Sequence, residues 1–468
     1  MTALPIAFRS NVGKYNFLGT TTLLNCYAEK RGDDAKGPLS VIPCDGTLTF
    51  SAATDTPCRG MLLMRDLDLI YAVFSSYVWK INSAGTATLV GVVPGTDRVQ
   101  MTRNQKATAQ IVIRCDAGVF IVESDVVSLF TLPGAETVIS VDTIAGYTVY
   151  GIATGVFFIS SINEAKTVAA LDFATAEQRP DRLVRVFVLG GELLMMKQTN
   201  IEPWINTGNA TFPFELRGTS SVVRKGLLAE DSVAEFDNTI AFVGNDGFVY
   251  RYAATPTRIS NEEVERAIRD DASQSTISAF SWSRGGHQFY TLTGSTWTYS
   301  YDAVTQVWHK RETYNSNRWR HDFAVETWGE VIVGDRNTGN LYSLDSSTYT
   351  EAGSTMIFGV DSPPMHVFPK GGIVDSINID FATGGGVVSS TATGYDPALM
   401  LSWSDDGGNT YKAPRQIKTG KRGVYKTRVR TMRCGRFGTL GRTWRIRISD
   451  PVPRALVNVD AAVRPLVH

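Results

Sequence analysis

The sequence predicts an all-β chain: a β-propeller of six or seven blades followed by a C-terminal β-sandwich-like domain. Three observations predict it. Short alternating runs rich in Val, Ile, Tyr, Phe and Thr recur between Gly, Asp, Asn and Ser, while helical periodicity is nearly absent. Tight-turn residues separate paired runs, as in Thr239–Val243, Asn245-Asp246-Gly247 and Phe248–Tyr252, where Asp-Gly suits the positive φ of a hairpin. The clearest hairpin turns, at Ser76, Gly118, Gly155, Asn200, Gly247, Ser295 and Gly339, fall 42, 37, 45, 47, 48 and 44 residues apart. A period of roughly 40–50 residues with several short strands per repeat is that of propeller blades, each burying its faces against its neighbours. A series of β-sandwiches or a β-solenoid would share the rhythm.

Taken in order, residues 1–57 hold few clean strands and read as an N-terminal arm and closing strand. Residues 58–360 read as the propeller, beginning with the paired runs Leu67–Phe74 and Tyr77–Ile81. One helix interrupts it. Ser260 is placed to cap Asn261–Ile268, with Glu262 and Glu263 near the positive end and Val264 and Ile268 on one apolar stripe. Ser362-Pro363-Pro364 marks a boundary, and residues 361–468 read as the C-terminal β-domain. Its expected strands are Ile373–Phe381, Met400–Trp403, Gly423–Met432 and Thr443–Ile448, with 383–394 as a long loop.

Composition excludes several classes. The 468 residues are 43% hydrophobic, 10% aromatic and 20% charged, which is too apolar for a disordered chain. Lys+Arg and Asp+Glu both number 46, so the simplest argument for a free nucleic-acid-binding protein, a basic excess, fails. The balance hides an asymmetry. Residues 411–468 carry 15 Lys/Arg against Asp450 and Asp460, a net +13, and the remainder carries −13. Such segregation points to a partner surface or to opposite faces that meet on assembly, although arginines also protect a solvated sheet edge. Met1–Arg9 does not read as a secretory signal, and no run reaches the ~18 apolar residues of a membrane helix. Five scattered cysteines without CxxC spacing read as reduced, buried thiols of a protein folded in a reducing cytoplasm.

Few residues suggest chemistry, and no catalytic residue, metal or cofactor is expected. His287, His309, His321, His366 and His468 match no zinc spacing. No GxSxG elbow occurs, and Gly435–Gly441 lacks the spacing and the Lys-Ser/Thr of a phosphate loop. Glu262, Glu263, Glu265, Asp270 and Asp271 sit mostly on one short helix, whereas glycosidase carboxylates face each other across a cleft. Ser404, Asp406, Gly408, Thr410 and Tyr411 fit the Asp-box pattern of β-proteins. There the carboxylate accepts backbone N–H bonds and the glycine supplies positive φ, a structural turn without catalysis.

A set of stretches runs across most of the chain: Asn25–Glu29, Val243–Arg251 leading into Pro256–Ser260, Tyr301-Asp302 with Trp308–Arg311, and Arg318-Trp319-Arg320. Val333–Asp335 with Gly339–Leu344, Leu401–Tyr411, Gly423–Tyr425, Arg428, Arg430 and Asp450-Pro451 complete the set. Together and in this order they resemble the tail-nozzle family of short-tailed phages, the packaged-DNA stabilisation or tail hub proteins. The chain departs from the family at Cys44-Asp45-Gly46, where Pro-Gly-Leu is common, and in the length of loop 383–394.

The resemblance implies a non-enzymatic structural virion protein in the phage tail, assembled in the host cytoplasm as a homohexamer below the portal and its adaptor. Such a ring extends the DNA channel, helps retain packaged DNA and passes it on at ejection. Its implied partners are portal-adaptor proteins, tail fibre, spike or needle proteins, and double-stranded DNA passing without sequence-specific contact, with no membrane insertion. Arg428, Arg430, Arg433 and Arg436 are then candidates for a subunit or ring interface. The alternative is a propeller-type glycan-binding or sialidase-like hydrolase, which needs an arginine cluster or carboxylate pair converging from several blades.

Overall fold

A computed structural model describes residues 2–3, 8–16, 19–32, 37–54, 56–367 and 369–466, with backbone alone at 2–3 and 220. Among these residues, antiparallel strands form seven four-stranded blades. Blade 1 comprises Cys58–Met64, Leu69–Phe74, Tyr77–Ile81 and Ala87–Val92. Blade 2 comprises Gln100–Arg103, Ile111–Cys115, Gly118–Glu123 and Val126–Phe130. Blade 3 comprises Val138–Ile144, Tyr147–Ile152, Val156–Ile159 and Phe173–Thr175. Blade 4 comprises Leu183–Leu189, Glu192–Lys197, Ile201–Asn206 and Phe214–Leu216. Blade 5 comprises Ala234–Phe236, Thr239–Val243, Val249–Tyr252 and Pro256–Arg258. Blade 6 comprises Ser278–Arg284, His287–Thr293, Thr298–Asp302 and Val307–Lys310. Blade 7 takes His321–Thr327, Glu330–Asp335 and Gly339–Asp345, and its outermost strand is Gly46–Thr54.

The seven turn residues marked in the sequence all fall at the junction of the second and third strands of a blade. The blade count is therefore seven. Packing explains why the blades need one another. Each neighbouring pair encloses one apolar cluster, such as Val141, Tyr150 and Ile121 between blades 2 and 3, or Leu194, Met196, Ile240 and Phe242 between blades 4 and 5. The ring closes where Ile70, Ala72 and Phe74 of blade 1 meet Ile332 and Leu341 of blade 7. At about 1.5–3 kcal/mol for each fully buried large apolar side chain, this interface stabilises the closure. Because Gly46–Thr54 completes blade 7, the two ends of the propeller are tied by strand pairing as well.

The C-terminal unit is two facing sheets. One runs Cys26–Lys30, Leu39–Pro43, Leu456–Pro465, Gly372–Phe381, Arg430–Phe437, with Thr2–Ala3 paired to Leu456–Pro465. The other runs Thr20–Leu24, Phe358–Asp361, Thr443–Ile448, Ala398–Ser404, Arg415–Lys418, with Asn11–Val12 on Thr20–Leu24. Residues 11–43 thus supply strands to both sheets. Leu23, Val41, Val374, Ile377, Leu401, Trp444 and Ile446 are part of the common core. The second sheet continues into blade 6 through a parallel bridge of Leu24 to Lys310.

Two local expectations are corrected. Helix α1 spans Glu262–Arg269, and its N-cap is Asn261, whose extended backbone lets Oδ1 accept from Val264 N at 3.0 Å. Ser260 Oγ instead accepts from Val249 N and donates to Glu265. The strand expected at Gly423–Met432 begins at Arg430, because Gly423 adopts φ +82° and Val424 N donates to Lys421 O, folding 421–427 into turns.

A bridged propeller axis and a candidate arginine interface

Each blade's first strand lies toward the axis, and the side chains that flank these strands decide what the axis can admit. Arg98, just before blade 2, reaches Asp231 at 3.4 Å and donates to Asp322 O at 3.3 and 3.4 Å, and it lies 4.0 Å over the Phe323 ring. Asp231 precedes blade 5 and Asp322 belongs to blade 7, so one guanidinium joins three separated sectors of the ring. Arg185 of blade 4 donates to Asp231 at 2.8 Å and to Glu230 O at 3.1 Å. Arg114 donates to Glu230 at 2.9 Å, and Gln100 bonds the same carboxylate. Burial pushes Glu230 up to about 6 despite Arg114. Side chains bridge the bore, and a duplex cannot thread it.

The basic excess of the C-terminal chain divides into two populations. Arg442 is buried and grips Asp405, Arg445 and Arg447 share Asp361, Arg464 pairs with Asp375, and Lys418 pairs with Asp396. Arg454 donates to the carbonyls of Met356, Ile448 and Tyr349, and its burial pulls it down to about 10. The acids that pair with the first five of these residues, Asp361, Asp375, Asp396 and Asp405, precede residue 411, which is why the +13 segment overstates the exposed charge. Residues 361–468 carry 16 Lys/Arg against eight Asp/Glu, while 58–360 carry 25 against 33.

The second population is exposed. Arg428 precedes the outer strand Arg430–Phe437, and Arg430, Arg433 and Arg436 lie on it. None of these four makes an ion pair among the described residues; Arg430 donates to Ser376 Oγ at 3.2 Å. Val424, Tyr425, Met432 and Leu440 are exposed apolar neighbours in sequence. The strand bulges where Val374 faces Gly435 and Ser376 faces Met432, with Arg433 at φ +57°. Two arginines of the facing sheet hold the bulge. Arg415 donates to Met432 O at 2.8 Å and Arg433 O at 3.1 Å, and Arg442 donates to Cys434 O at 2.6 Å and Arg436 O at 2.8 Å. This edge therefore displays arginine side chains while its carbonyls are occupied, which discourages pairing with a foreign strand. Sequence reading missed Arg415 and Arg442, because only the fold brings them to this edge.

The Asp-box residues form the hairpin turn after Ala398–Ser404. Asp406 accepts from Ser404 Oγ at 2.6 Å, Asn409 N at 3.0 Å, and Thr410 N at 2.9 Å and Oγ1 at 2.5 Å. These donors hold its carboxyl well below the usual range. Gly408 N donates to Ser404 Oγ at 2.8 Å, Gly408 has φ +90°, and Tyr411 lies beneath the Arg445 guanidinium at 3.5 Å. This is a structural turn with every oxygen engaged.

The acids of α1 lie apart from the histidines singled out in the sequence. Glu262 and Glu263 accept from Lys14 N and Val12 N, and Tyr299 OH donates to Glu263, tying α1 to the N-terminal strands. His287 pairs with Asp302 at 2.9 Å. His309 and His321 are fully buried, and burial pulls both down to about 3. His366 is exposed, and His468 lies outside the described residues. All five cysteines are buried and unbridged.

Two family models match the chain. The one described as bacteriophage P22 Gp10, β-propeller, matches residues 36–349, and the one described as bacteriophage P22 Gp10, β-sandwich, matches residues 359–464. Among solved structures, the WD40 β-propeller domain of Doa1 is 13% identical with a TM-score of 0.42, covering 65% of this chain and 97% of that one. The RRP9 WD40 repeats are 8% identical with a TM-score of 0.40, covering 65% and 99%. The computationally designed Ika8 protein is 9% identical with a TM-score of 0.39, covering 64% and 99%. No curated protein matches the chain.

Proposed function

We propose a role for this chain on one premise: it belongs to the bacteriophage P22 Gp10 family, phage tail proteins that stabilise packaged DNA. It is a structural protein of the virion. In the role proposed, six copies form a nozzle or hub ring below the portal and its adaptor. The ring extends the DNA channel, helps retain the genome and releases it at ejection, while its far end receives fibre, spike or needle proteins. The chain divides for this purpose at about residues 57 and 360 into a closing segment, a propeller and an arginine-bearing β-domain.

The observation that carries the reading is the bridged axis. Contacts of Arg98 and Arg185 with Asp231, and of Arg98 with Asp322 O, cross the axis of one propeller, so a duplex route calls for several copies arranged around it. The charge division supports the same arrangement. A net acidic propeller suits a wall past which DNA slides, because each neutralised phosphate adds affinity and friction. Arg428, Arg430, Arg433 and Arg436 suit an acidic surface on the next copy or ring, steering encounter and fixing register. No catalytic role is assigned, and the Asp-box turn serves folding.

Native mass measurement tests the proposal, with the purified chain mixed with a portal–adaptor complex. The expected result is a monomer alone and six added copies on the complex. A single added copy, or no addition, overturns it.

A further inference from the structure

Between blades 6 and 7, on the side of the blade connectors, lies a cleft of about 410 Å³ whose lining includes Ser295, Thr313, Asn317, Arg318, Arg320 and Arg336. It is built rigidly. Thr313 N donates to Arg318 O at 3.1 Å, Arg320 N to Thr313 Oγ1 at 3.0 Å, and Trp319 N to Thr298 Oγ1 at 3.1 Å. Between the two arginines Trp319 is fully buried, its indole N–H donating to Glu351 at 2.6 Å, with the Arg311 guanidinium 4.0 Å over its ring.

The charges do not balance within the cleft. Arg318 grips both oxygens of Asp322 at 2.8 and 2.7 Å, and Arg320 pairs with Asp335. Asp335 also accepts from Thr338 Oγ1 and Asn337 N. Its burial opposes ionisation, but these donors and Arg320 hold its carboxyl below the usual range. Three guanidiniums therefore share two carboxylates. Arg336, 40% exposed, is the surplus one: its nearest acid is Asp322 at 3.8 Å, and its side chain makes no hydrogen bond among the described residues. Neutral donors, including Ser295 and Asn317, complete the wall. A planar fork held only by one long ion pair to Asp322, and with no hydrogen bond of its own among the described residues, suits a planar oxyanion bound through two parallel bonds.

We propose that this cleft binds a single carboxylate group, with Arg336 as the closing fork, presented by a free small acid or by an acidic side chain of an assembly partner. The proposal is independent of the ring reading, since a solitary chain has the complete cleft.

Calorimetric titration of the full chain at low salt tests it. The probes are glutarate, N-acetylneuraminate, a blocked tetrapeptide with one glutamate, and inorganic phosphate. The expected result is one site for at least one carboxylate probe, weakened about tenfold by Arg336→Ala, only partly restored by Arg336→Lys, which keeps the charge but not the fork, and unchanged by Arg433→Ala. Loss of Arg336 leaves Asp322 paired with Arg318, and an unchanged melting temperature certifies the fold. Tighter binding of the peptide assigns the carboxylate to a partner protein; equal or tighter binding of a free acid assigns it to a small molecule. The proposal fails if no carboxylate probe binds below about 10 mM, a threshold of roughly 3 kcal/mol in binding free energy. It fails too if only phosphate binds, or if Arg336→Ala binds as the parent does.

Discussion

Replacing Arg442 with methionine unpins the outer strand on which the candidate interface stands. The side chain is 1% exposed, donates to Asp405 at 2.6 and 3.0 Å and to Cys434 O and Arg436 O, and lies 5.2, 5.4 and 5.6 Å from the Trp403, Trp444 and Phe437 rings. Methionine keeps much of the apolar contact, so the loss is chiefly of the charge and its hydrogen bonds. Removing one partner of a buried pair costs about 3–5 kcal/mol, and the partial exposure of Asp405 places this case near the lower end. Adding Asp405→Asn removes the stranded carboxylate and recovers about 1 kcal/mol. Urea unfolding followed by tryptophan fluorescence measures the cost, since Trp403 and Trp444 lie 5.6 Å apart beside the site. Hydrogen exchange over residues 430–437 reports the strand itself, and its amides lose protection in the expected outcome. A cost below about 1 kcal/mol with unchanged exchange would refute the view that this guanidinium holds the bulged edge.

Reversing Arg428, Arg430, Arg433 and Arg436 to glutamate leaves folding intact, each exposed change shifting stability by about 0.5 kcal/mol or less, while abolishing ring assembly in sedimentation; an assembled ring rules out this interface. Stability is also predicted to depend on pH in two stages. His309 and His321 sit at about 3 in the folded chain, so below their ordinary range the unfolded chain takes up two protons that the folded one does not, a loss of up to about 2.7 kcal/mol per pH unit. Burial raises Glu230 and Asp142 to about 6, so their penalty appears as pH rises through their ordinary range to about 6 and is relieved on acidification. The opposing effects largely offset each other between about pH 6 and 4, and stability falls more steeply below that, where the unfolded carboxylates protonate too. Denaturant titrations at several pH values check the shape, and a steep loss already between pH 6 and 5 contradicts it. Asn261→Ala costs about 1 kcal/mol and speeds amide exchange at Val264; no change in exchange there denies it the cap.

The blades were legible because their information is local. Turn residues such as Gly155 and Gly247 need positive φ, and the apolar alternation on either side specifies which faces meet the next blade. The N-terminal strands were less so: Thr20–Leu24 and Cys26–Lys30 pair with Phe358–Asp361 and Leu39–Pro43, and the first of these partnerships spans more than 330 residues with no local mark. The same limit applied to charge. A run of arginines reads as one basic surface, yet Arg442, Arg445 and Arg454 turn inward because Asp405, Asp361 and free carbonyls await them there. Arg98 and Arg336 look unremarkable in sequence, since Asp231 reaches Arg98 only once the ring has closed and Asp322 reaches Arg336 only once the strands of blade 7 have paired.

Electron cryomicroscopy of the chain assembled on its portal–adaptor complex with DNA present tests the central claim most directly. A closed ring of copies is predicted, with duplex density in the space they surround and none along the axis of any propeller. Duplex threading a single propeller, or a lone copy fixed to the side of the tail, would contradict it.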